Sequence, residues 1–184
     1  MTPLEPGIAF VLLAAGRSVR FGSDKLTASY EGRPLWEWAA AAAEDAGFQS
    51  RFIVVGRHSR IAAPDGWRTI LNHRSEQGMG TSIAAAVSEL DGFSRVVIAL
   101  ADMPLVTTAH LRELAARSGA VFTRQNDGTA GSPAAFPHSD FEALRGLTGD
   151  KGARSLNLPD VTVLSVKAEG MLFDVDTVAD LQGP

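Results

Sequence analysis

The sequence contains no cysteine among its 184 residues. This absence excludes a disulfide framework, a cysteine nucleophile and a thiolate metal site, and it is consistent with a cytoplasmic protein. Positive charge is also scarce, because 17 lysine and arginine residues stand against 21 aspartate and glutamate residues, for a net charge of -4. We therefore expect neither nucleic acid nor an anionic membrane as a partner, since both require a basic surface.

Long hydrophobic runs are missing as well. The apolar run Ile8–Ala15 is too short to span a bilayer, and no basic residue precedes it as in a signal peptide. Hydrophobic residues make up 45% of the chain and charged residues 21%, which is typical of a folded globular protein. The length predicts one domain over residues 1–184.

Apolar and helical segments alternate along the chain. Ile8–Ala14 is a continuous apolar run and Arg95–Ala101 contains another, which indicates strands covered on both faces. Between them, the alanine-rich stretch Leu35–Ala46 predicts a helix closed by Gly47. This alternation predicts a three-layer α/β/α fold with a mostly parallel sheet. In such sheets, ligands bind beyond the carboxyl ends of the strands.

The later part of the chain is less regular. We expect a loop over Arg124–Pro133 and, from the Ser139/Glu142 spacing of a capping box, a helix that begins at Asp140. Met171–Val175 has the pattern of a closing strand.

The turn after the first predicted strand is rich in glycine and cations. Its distinctive residues are Gly16, Ser18, Arg20, Gly22 and Lys25. Glycines let the backbone approach a phosphate and leave amide donors facing it. The spacing matches neither a P-loop nor the dinucleotide fingerprint. The residues alone allow either a phosphate site or an ordinary turn between a strand and a helix.

Three aspartates are candidates to hold a metal. Asp102 directly follows a predicted buried strand, where a carboxylate can hold Mg²⁺ together with substrate phosphates. Asp174 and Asp176 alternate, so a strand would place both on one face. Each of the three could instead belong to a turn or a helix cap.

The polar segment Asn72–Ser82 offers donors and acceptors for a nucleobase or a ribose. It also precedes a predicted helix, whose amino end would attract anions. The alternative is a solvated surface loop. The four histidines are scattered without ligand spacing and are expected to be structural or exposed.

Five segments in chain order resemble the signature of the nucleotidyltransferases that act on the molybdenum cofactor. They are Leu-Ala-Ala-Gly-x-Ser-x-Arg-x-Gly-x-x-Lys at 13–25, Leu-Ala-Asp-Met-Pro at 100–104, Gly-Ser-Pro-Ala-Ala-Phe at 131–136, Gly-Asp-x-Gly-Ala-Arg at 149–154 and Asp-Val-Asp-Thr at 174–177. The resemblance implies a Rossmann-like fold of the nucleotide-diphospho-sugar transferase type.

The branch that the sequence resembles in detail is the MocA-like cytidylyltransferases. MobA-like guanylyl relatives usually carry Gly-Gly where this chain has Ala15-Gly16. The segment at 149–154 is also similar to the cytidylyl branch, whereas Phe21 departs from the methionine common at that position. The resemblance implies CTP as the donor, with GTP as the alternative.

The resemblance implies transfer of CMP from CTP to the terminal phosphate of molybdenum-bound molybdopterin, with release of pyrophosphate. The residues that would bind the nucleotide are Leu13, Ala14, Ala15, Gly16, Ser18, Arg20, Gly22, Lys25, Asn72, Gly78 and Ser82. Lys25, Arg20 and Asp102 would be catalytic, and Asp102 and Asp176, with Asp174 in reserve, would hold Mg²⁺ as cofactor. The acceptor would contact Gly131, Pro133, Asp150 and Arg154.

Two other functions fit the same segments. One is a nucleotidyltransferase of the same fold with another phosphorylated acceptor. The other is a non-catalytic module that hands molybdenum cofactor to an apoenzyme, and the resemblance likewise implies a molybdoenzyme apoprotein or its chaperone as a protein partner. The presence of Lys25, Arg20, Asp102 and Asp176 favours an active enzyme.

Overall fold

A seven-stranded sheet forms the centre of the computed structural model, which describes residues 2–16, Phe21 and 24–184. Its strands are β1 (Ile8–Ala14), β4 (Ser50–Gly56), β5 (Trp67–Asn72), β6 (Arg95–Leu100), β7 (Ala120–Arg124), β8 (Ala130–Pro137) and β9 (Val161–Leu164), and β2 (Ser29–Tyr30) and β3 (Arg33–Pro34) form a separate hairpin. The order across the sheet is β5-β4-β1-β6-β8-β7-β9. Strand β8 runs antiparallel to its neighbours β6 and β7, and the other pairs are parallel. The sheet is therefore mostly parallel, as predicted.

Four helices cover the two faces of this sheet. They are α1 (Leu35–Asp45), α2 (Met79–Val87), α3 (Thr108–Ala116) and α4 (Phe141–Arg145). Helices α1 and α3 pack together on one face, and α2 and α4 pack together on the other. This arrangement confirms the predicted three-layer α/β/α fold. None of the helices in the described ranges is long and apolar enough to cross a membrane.

Strand β1 lies in the middle of the sheet and is buried along its whole length. It pairs in parallel with β4 on one side and β6 on the other, with Leu12 opposite both Ile53 and Ala99. Successive side chains of β1 enter opposite cores, because strand residues alternate between the faces of a sheet. Phe10 and Leu12 pack toward α1 and α3, whereas Val11 and Leu13 pack toward α2. This double coverage explains why the run shows no polar alternation.

The later part of the chain departs from the prediction at three points. The expected loop Arg124–Pro133 is present only over residues 125–129, because β7 includes Arg124 and β8 begins at Ala130. The predicted helix is present as α4, which begins one residue after Asp140, but a short 3-10 turn precedes it and no side chain caps it. Met171–Val175 is not a strand, and its backbone contacts a loop instead of a sheet neighbour.

A buried polar chain links α3 to the strands β7 and β8. Nε2 of His110 lies 2.7 Å from Oγ1 of Thr123, and the Thr123 hydroxyl donates to the carbonyl oxygen of Pro133 at 2.6 Å. Because the Thr123 hydroxyl already donates its proton to Pro133, it can only accept a hydrogen bond from His110. Nε2 of His110 is therefore the donor of that bond. Burial lowers the pKa of His110, with the charge of Glu113 opposing this change and that of Lys167 adding to it.

The lowered pKa of His110 predicts a loss of stability in mild acid. An unfolded chain protonates this histidine as the pH falls through about 6.5, whereas the folded protein keeps it neutral to lower pH. The unfolded state then binds more protons, so the free energy of unfolding decreases as the pH falls below that value. We expect the urea midpoint to drop between pH 7.5 and 5.5, and to drop less in His110→Gln. The exposed residue His58 provides the control, and an equal pH dependence in His110→Gln and His58→Gln would contradict the expectation.

Candidate active site

A cavity of about 660 Å³ opens at the carboxyl ends of β1 and β6. This volume suits a ligand of nucleotide size. Three segments of the chain that are distant in sequence build its wall, together with two single residues, Asp150 and Asp176. The lining residues are Leu13, Ala15, Gly16, Phe21, Lys25, Leu26, Ser75, Glu76, Gly78, Met79, Ser82, Leu100, Asp102, Asp150 and Asp176.

Lys25 and Asp102 form the most tightly held ion pair of this cavity. Lys25 begins a short 3-10 turn (Lys25–Thr27), and its Nζ donates to Oδ2 of Asp102 at 2.8 Å. The Lys25 side chain is only 11% exposed and that of Asp102 is 24% exposed. The second carboxylate oxygen of Asp102, Oδ1, is buried and accepts no hydrogen bond from the described part of the chain. That oxygen remains available to a further cationic ligand.

Asp174 and Asp176 lie close to the same lysine. Lys25 Nζ is 4.0 Å from Oδ1 of Asp174 and 3.7 Å from Oδ1 of Asp176. Val175 between them is buried, and its amide donates to the carbonyl oxygen of Asp102 at 3.1 Å. This hydrogen bond explains how two carboxylates face one side without the strand that we expected.

The electrostatics of this cluster follow from three carboxylates around one ammonium group. Burial acts to lower the pKa of Lys25, but the charge and hydrogen bond of Asp102, aided by Asp174 and Asp176, outweigh it, so the pKa of Lys25 is raised. Partial burial and the neighbouring charge of Asp102 raise the pKa of Asp174 to about 7, against the opposing charge of Lys25. The cluster carries an excess of negative charge that a bound cation would reduce.

The same carboxylates are candidate ligands of a divalent cation. Among residues 2–16, 21 and 24–184, no set of three or more histidine, cysteine or acidic side chains converges as a ready cage. Mg²⁺ does not need such a cage, because it is usually held by one or two carboxylates together with water and substrate phosphates. Asp102, with its free buried oxygen, and Asp176, in the cavity wall, fit that role.

The start of α2 builds another part of the wall. The amide of Gly80 donates to the carbonyl oxygen of Gly149 at 2.8 Å, and the amide of Thr81 donates to that of Gly78 at 3.2 Å. These two amides are therefore occupied by the protein itself. The expectation that the amino end of this helix attracts a phosphate stays a prediction, with two fewer donors to support it.

Most of the predicted nucleotide-binding residues that the structure describes come together in the cavity wall. They are Leu13, Ala15, Gly16, Lys25, Gly78 and Ser82. Ala14 faces the opposite core, beneath α1. Ser18, Arg20 and Gly22 lie outside the described residues, so their predicted roles stay predictions.

Asn72 does not reach the cavity, contrary to its predicted role at a base or ribose. Its side-chain amide donates to Thr81 Oγ1 at 2.9 Å and Ser82 Oγ at 3.0 Å, and its oxygen accepts from the Arg74 amide at 2.9 Å. The side chain is 97% shielded from solvent and fully engaged in these bonds. Asn72 thus fixes the start of α2 to the end of β5.

The four predicted acceptor residues divide into two groups. Asp150 lines the cavity beside Gly78 and Ser82. Gly131, Pro133 and Arg154 are not among its lining residues, because Gly131 packs under the Gln125 side chain and Pro133 is buried in β8.

Sequence reasoning missed six residues of the wall. They are Phe21, Leu26, Ser75, Glu76, Met79 and Leu100. Ser75, Glu76 and Met79 lie within the polar segment that was predicted to contact the nucleotide. Their position between the predicted residues Asn72 and Ser82 could therefore have identified them. Phe21, Leu26 and Leu100 gave no signal, because apolar residues beside a strand end are typical of any core.

Comparisons with known proteins show the family of this chain. Residues 10–160 match the family described as MobA-like NTP transferase domain. The "Purine catabolism protein PucB" of Bacillus subtilis (strain 168) is 30% identical over 192 residues, which cover 94% of this chain and 93% of that protein. A "Molybdenum cofactor guanylyltransferase" of Xanthomonas euvesicatoria is 32% identical over 108 residues, which cover 59% of this chain and 53% of that protein.

Solved structures show the same fold. Rv0371c from Mycobacterium tuberculosis H37Rv superposes with a TM-score of 0.82 at 30% identity, over 99% of this chain and 97% of that one. A manganese complex of the same mycobacterial protein gives a TM-score of 0.70 at 27% identity, over 86% of this chain and 87% of that one. This chain spans only 27% of the bifunctional protein GlmU from Trichlorobacter lovleyi, to which 126 residues are 36% identical.

Proposed function

Because this chain belongs to the MobA-like NTP transferase domain family, and is thus a nucleotidyltransferase, we propose that it transfers CMP from CTP to the terminal phosphate of molybdenum-bound molybdopterin. Pyrophosphate would be the second product. The observation that carries this proposal is the cluster of Lys25 with Asp102 and Asp176 in the wall of a cavity of nucleotide size.

The proposed reaction is an in-line displacement at the α-phosphorus of the nucleotide. One oxygen of the acceptor phosphate forms the new P–O bond, and the bond to pyrophosphate breaks. A phosphate monoester is already largely ionised at neutral pH, so the attacking oxygen needs no general base. The described lining residues include carboxylates but no histidine, and the proposed step gives none of them the role of a base. Rate enhancement would rest on positioning and on neutralising negative charge.

Lys25 would contact the triphosphate and stabilise the leaving pyrophosphate. Its pKa is raised, so it stays protonated throughout the neutral range. Asp102 and Asp176 would hold a divalent cation, which supplies positive charge to the phosphate oxygens when bound. The manganese complex of the mycobacterial Rv0371c protein supports a divalent cation in this fold, and Mg²⁺ is the proposed ion here.

The choice of CTP rests on the resemblance of Ala15-Gly16 and of the 149–154 segment to the cytidylyl branch. GTP is the second candidate, and it is favoured by the guanylyltransferase of Xanthomonas euvesicatoria among the relatives. The two donors predict the same reaction class and the same phosphate contacts, and they differ only in the base.

Pyrophosphate release with four nucleotides tests the proposal. We expect release from CTP in the presence of Mg²⁺ and molybdenum-bound molybdopterin, and loss of that release when EDTA removes the cation. Pyrophosphate release from GTP but not from CTP would make GTP the donor and would leave the proposed reaction class unchanged. Absence of release from all four nucleotides, for a protein that is folded by circular dichroism, would contradict the proposed function.

A further inference from the structure

The turn of residues 148–151 is pressed against the start of α2. Gly78 has φ +109°, and a Cβ atom placed on it would lie 2.4 Å from Oδ1 of Asp150 and 2.5 Å from the Asp150 amide nitrogen. No side chain fits at such distances. The carboxylate of Asp150 therefore lies directly over a bare backbone position, which also lines the cavity.

A second glycine holds the same turn from the other side. A Cβ atom on Gly80 would meet the carbonyl oxygens of Thr148, Gly149 and Lys151 at 2.9–3.0 Å. The Gly80 amide donates to the Gly149 carbonyl oxygen at 2.8 Å. Two close approaches and one backbone hydrogen bond thus fix where the Asp150 side chain enters the cavity wall.

This part of the wall differs in charge from the part around Lys25. Its polar side chains are Ser75, Glu76, Ser82 and Asp150. Lys25 is the one cationic side chain among the described residues that line the cavity, and it belongs to the cluster with Asp102. Carboxylates repel phosphate oxygens and accept hydrogen bonds from neutral N–H and O–H groups. The phosphates would therefore lie toward Lys25 and the cation proposed at Asp102 and Asp176, which together offset the carboxylates there, and the base and ribose would lie toward α2.

We infer that the Asp150 carboxylate accepts a hydrogen bond from the exocyclic amino group of the donor nucleobase, in place of the acceptor contact that the resemblance implies for this residue. The inference rests on the proposed function, because it takes a nucleoside triphosphate as the ligand. Cytosine presents its N4 amino group, and guanine its N2 amino group beside N1–H, so both proposed donors satisfy the carboxylate. Uracil has a carbonyl oxygen where cytosine has the amino group, and a carboxylate repels it. Asp150 thus selects amino-bearing bases over uracil.

Isothermal titration of CTP, GTP and UTP in Mg²⁺, without acceptor, tests this role. We expect the wild-type protein to prefer CTP or GTP over UTP by about tenfold or more, the typical effect of one hydrogen bond to a charged group. Asp150→Asn is expected to remove most of that preference, since an amide can donate to the uracil carbonyl as well as accept. The same change at Asp65, which is exposed and outside the cavity wall, is expected to leave the preference intact.

Several outcomes would contradict this inference without affecting the proposed function. They are a wild-type protein that binds the nucleotides without preference, an Asp150→Asn variant that keeps the preference, and an equal weakening of CTP and UTP binding by that variant. Loss of the preference in Glu76→Gln instead would also overturn it. Asp150→Ala, compared with Asp150→Asn by thermal unfolding, separates a lost base contact from a disturbed turn. A wild-type protein that binds no nucleotide would overturn the proposed function itself.

Discussion

Replacement of Lys25 by methionine is expected to reduce nucleotidyl transfer by about 10²–10³-fold, the effect that removal of one preorganised charge contact has in other enzymes. Methionine keeps much of the length of the lysine stem but cannot neutralise the triphosphate. It also leaves Asp102, Asp174 and Asp176 without the ammonium group that they share. The measurement is the rate of pyrophosphate release at saturating nucleotide, acceptor and Mg²⁺.

Lys167→Met is the matched control for this change. The Lys167 side chain is 83% exposed and does not line the cavity, so the same substitution there is expected to keep near-normal turnover. Without Lys25, the three clustered carboxylates repel one another, so we expect Lys25→Met to have a lower thermal stability than the wild-type protein in EDTA. Added Mn²⁺ should restore part of that stability. Near-normal pyrophosphate release by Lys25→Met would contradict the role given to this residue.

Gly78→Ala is expected to damage both stability and nucleotide binding. At φ +109° and ψ 172°, the residue has a backbone conformation that costs a non-glycine residue about 1–3 kcal/mol. The new methyl group would also collide with Gly149 and Asp150, and overpacking of this kind typically costs about 1–3 kcal/mol more. We expect a lower urea midpoint and weaker binding of CTP and GTP, because the turn at 148–151 must move away from α2.

Gly152→Ala provides the comparison within the same segment. A Cβ atom there would meet only Sδ of Met79, at 3.6 Å, which is an ordinary contact. Its backbone, with φ -76°, accepts alanine without strain. A Gly78→Ala protein with the urea midpoint and nucleotide affinity of Gly152→Ala would show that the close approach at Gly78 has no role.

The central part of the fold could be predicted from the sequence because its signals are local. The run at β1 has no polar alternation, and a helix pattern that ends in glycine is easy to recognise at α1. Strand β8 could not be found this way. Its first residues, Ala130 to Pro133, are typical of a loop, and they join the sheet because Ala130 and Gly131 pair with Arg124 and Thr123 of β7 across a short turn. Residues Ala134 to Pro137 also pair with β6, and that pairing joins residues far apart in the chain and leaves no local pattern.

The residues of the candidate site that follow a strand end in the sequence could be predicted. Lys25 and Asp102 were expected at the carboxyl edge of the sheet, and the structure pairs them at 2.8 Å. The nearness of Asp150 to Gly78 could not be predicted, because it depends on the packing of a late turn against an earlier helix. Asn72 was predicted to contact the nucleotide because it lies in the polar segment before α2. Its side chain instead makes its hydrogen bonds inside the protein, and the sequence does not reveal those partners.

The hydrogen bond from the Val175 amide to the Asp102 carbonyl oxygen has a consequence for the order of assembly during synthesis. All seven strands of the central sheet have been synthesised once the ribosome has passed Leu164. The pair Asp174 and Asp176 follows only later, and it reaches Lys25 through that backbone contact. A nascent chain can therefore bury most of its interior before its carboxylate cluster exists. Proteolysis between Leu164 and Asp174 would likewise detach Asp176 from the cavity wall, while Lys25 and Asp102 belong to the part that was synthesised first.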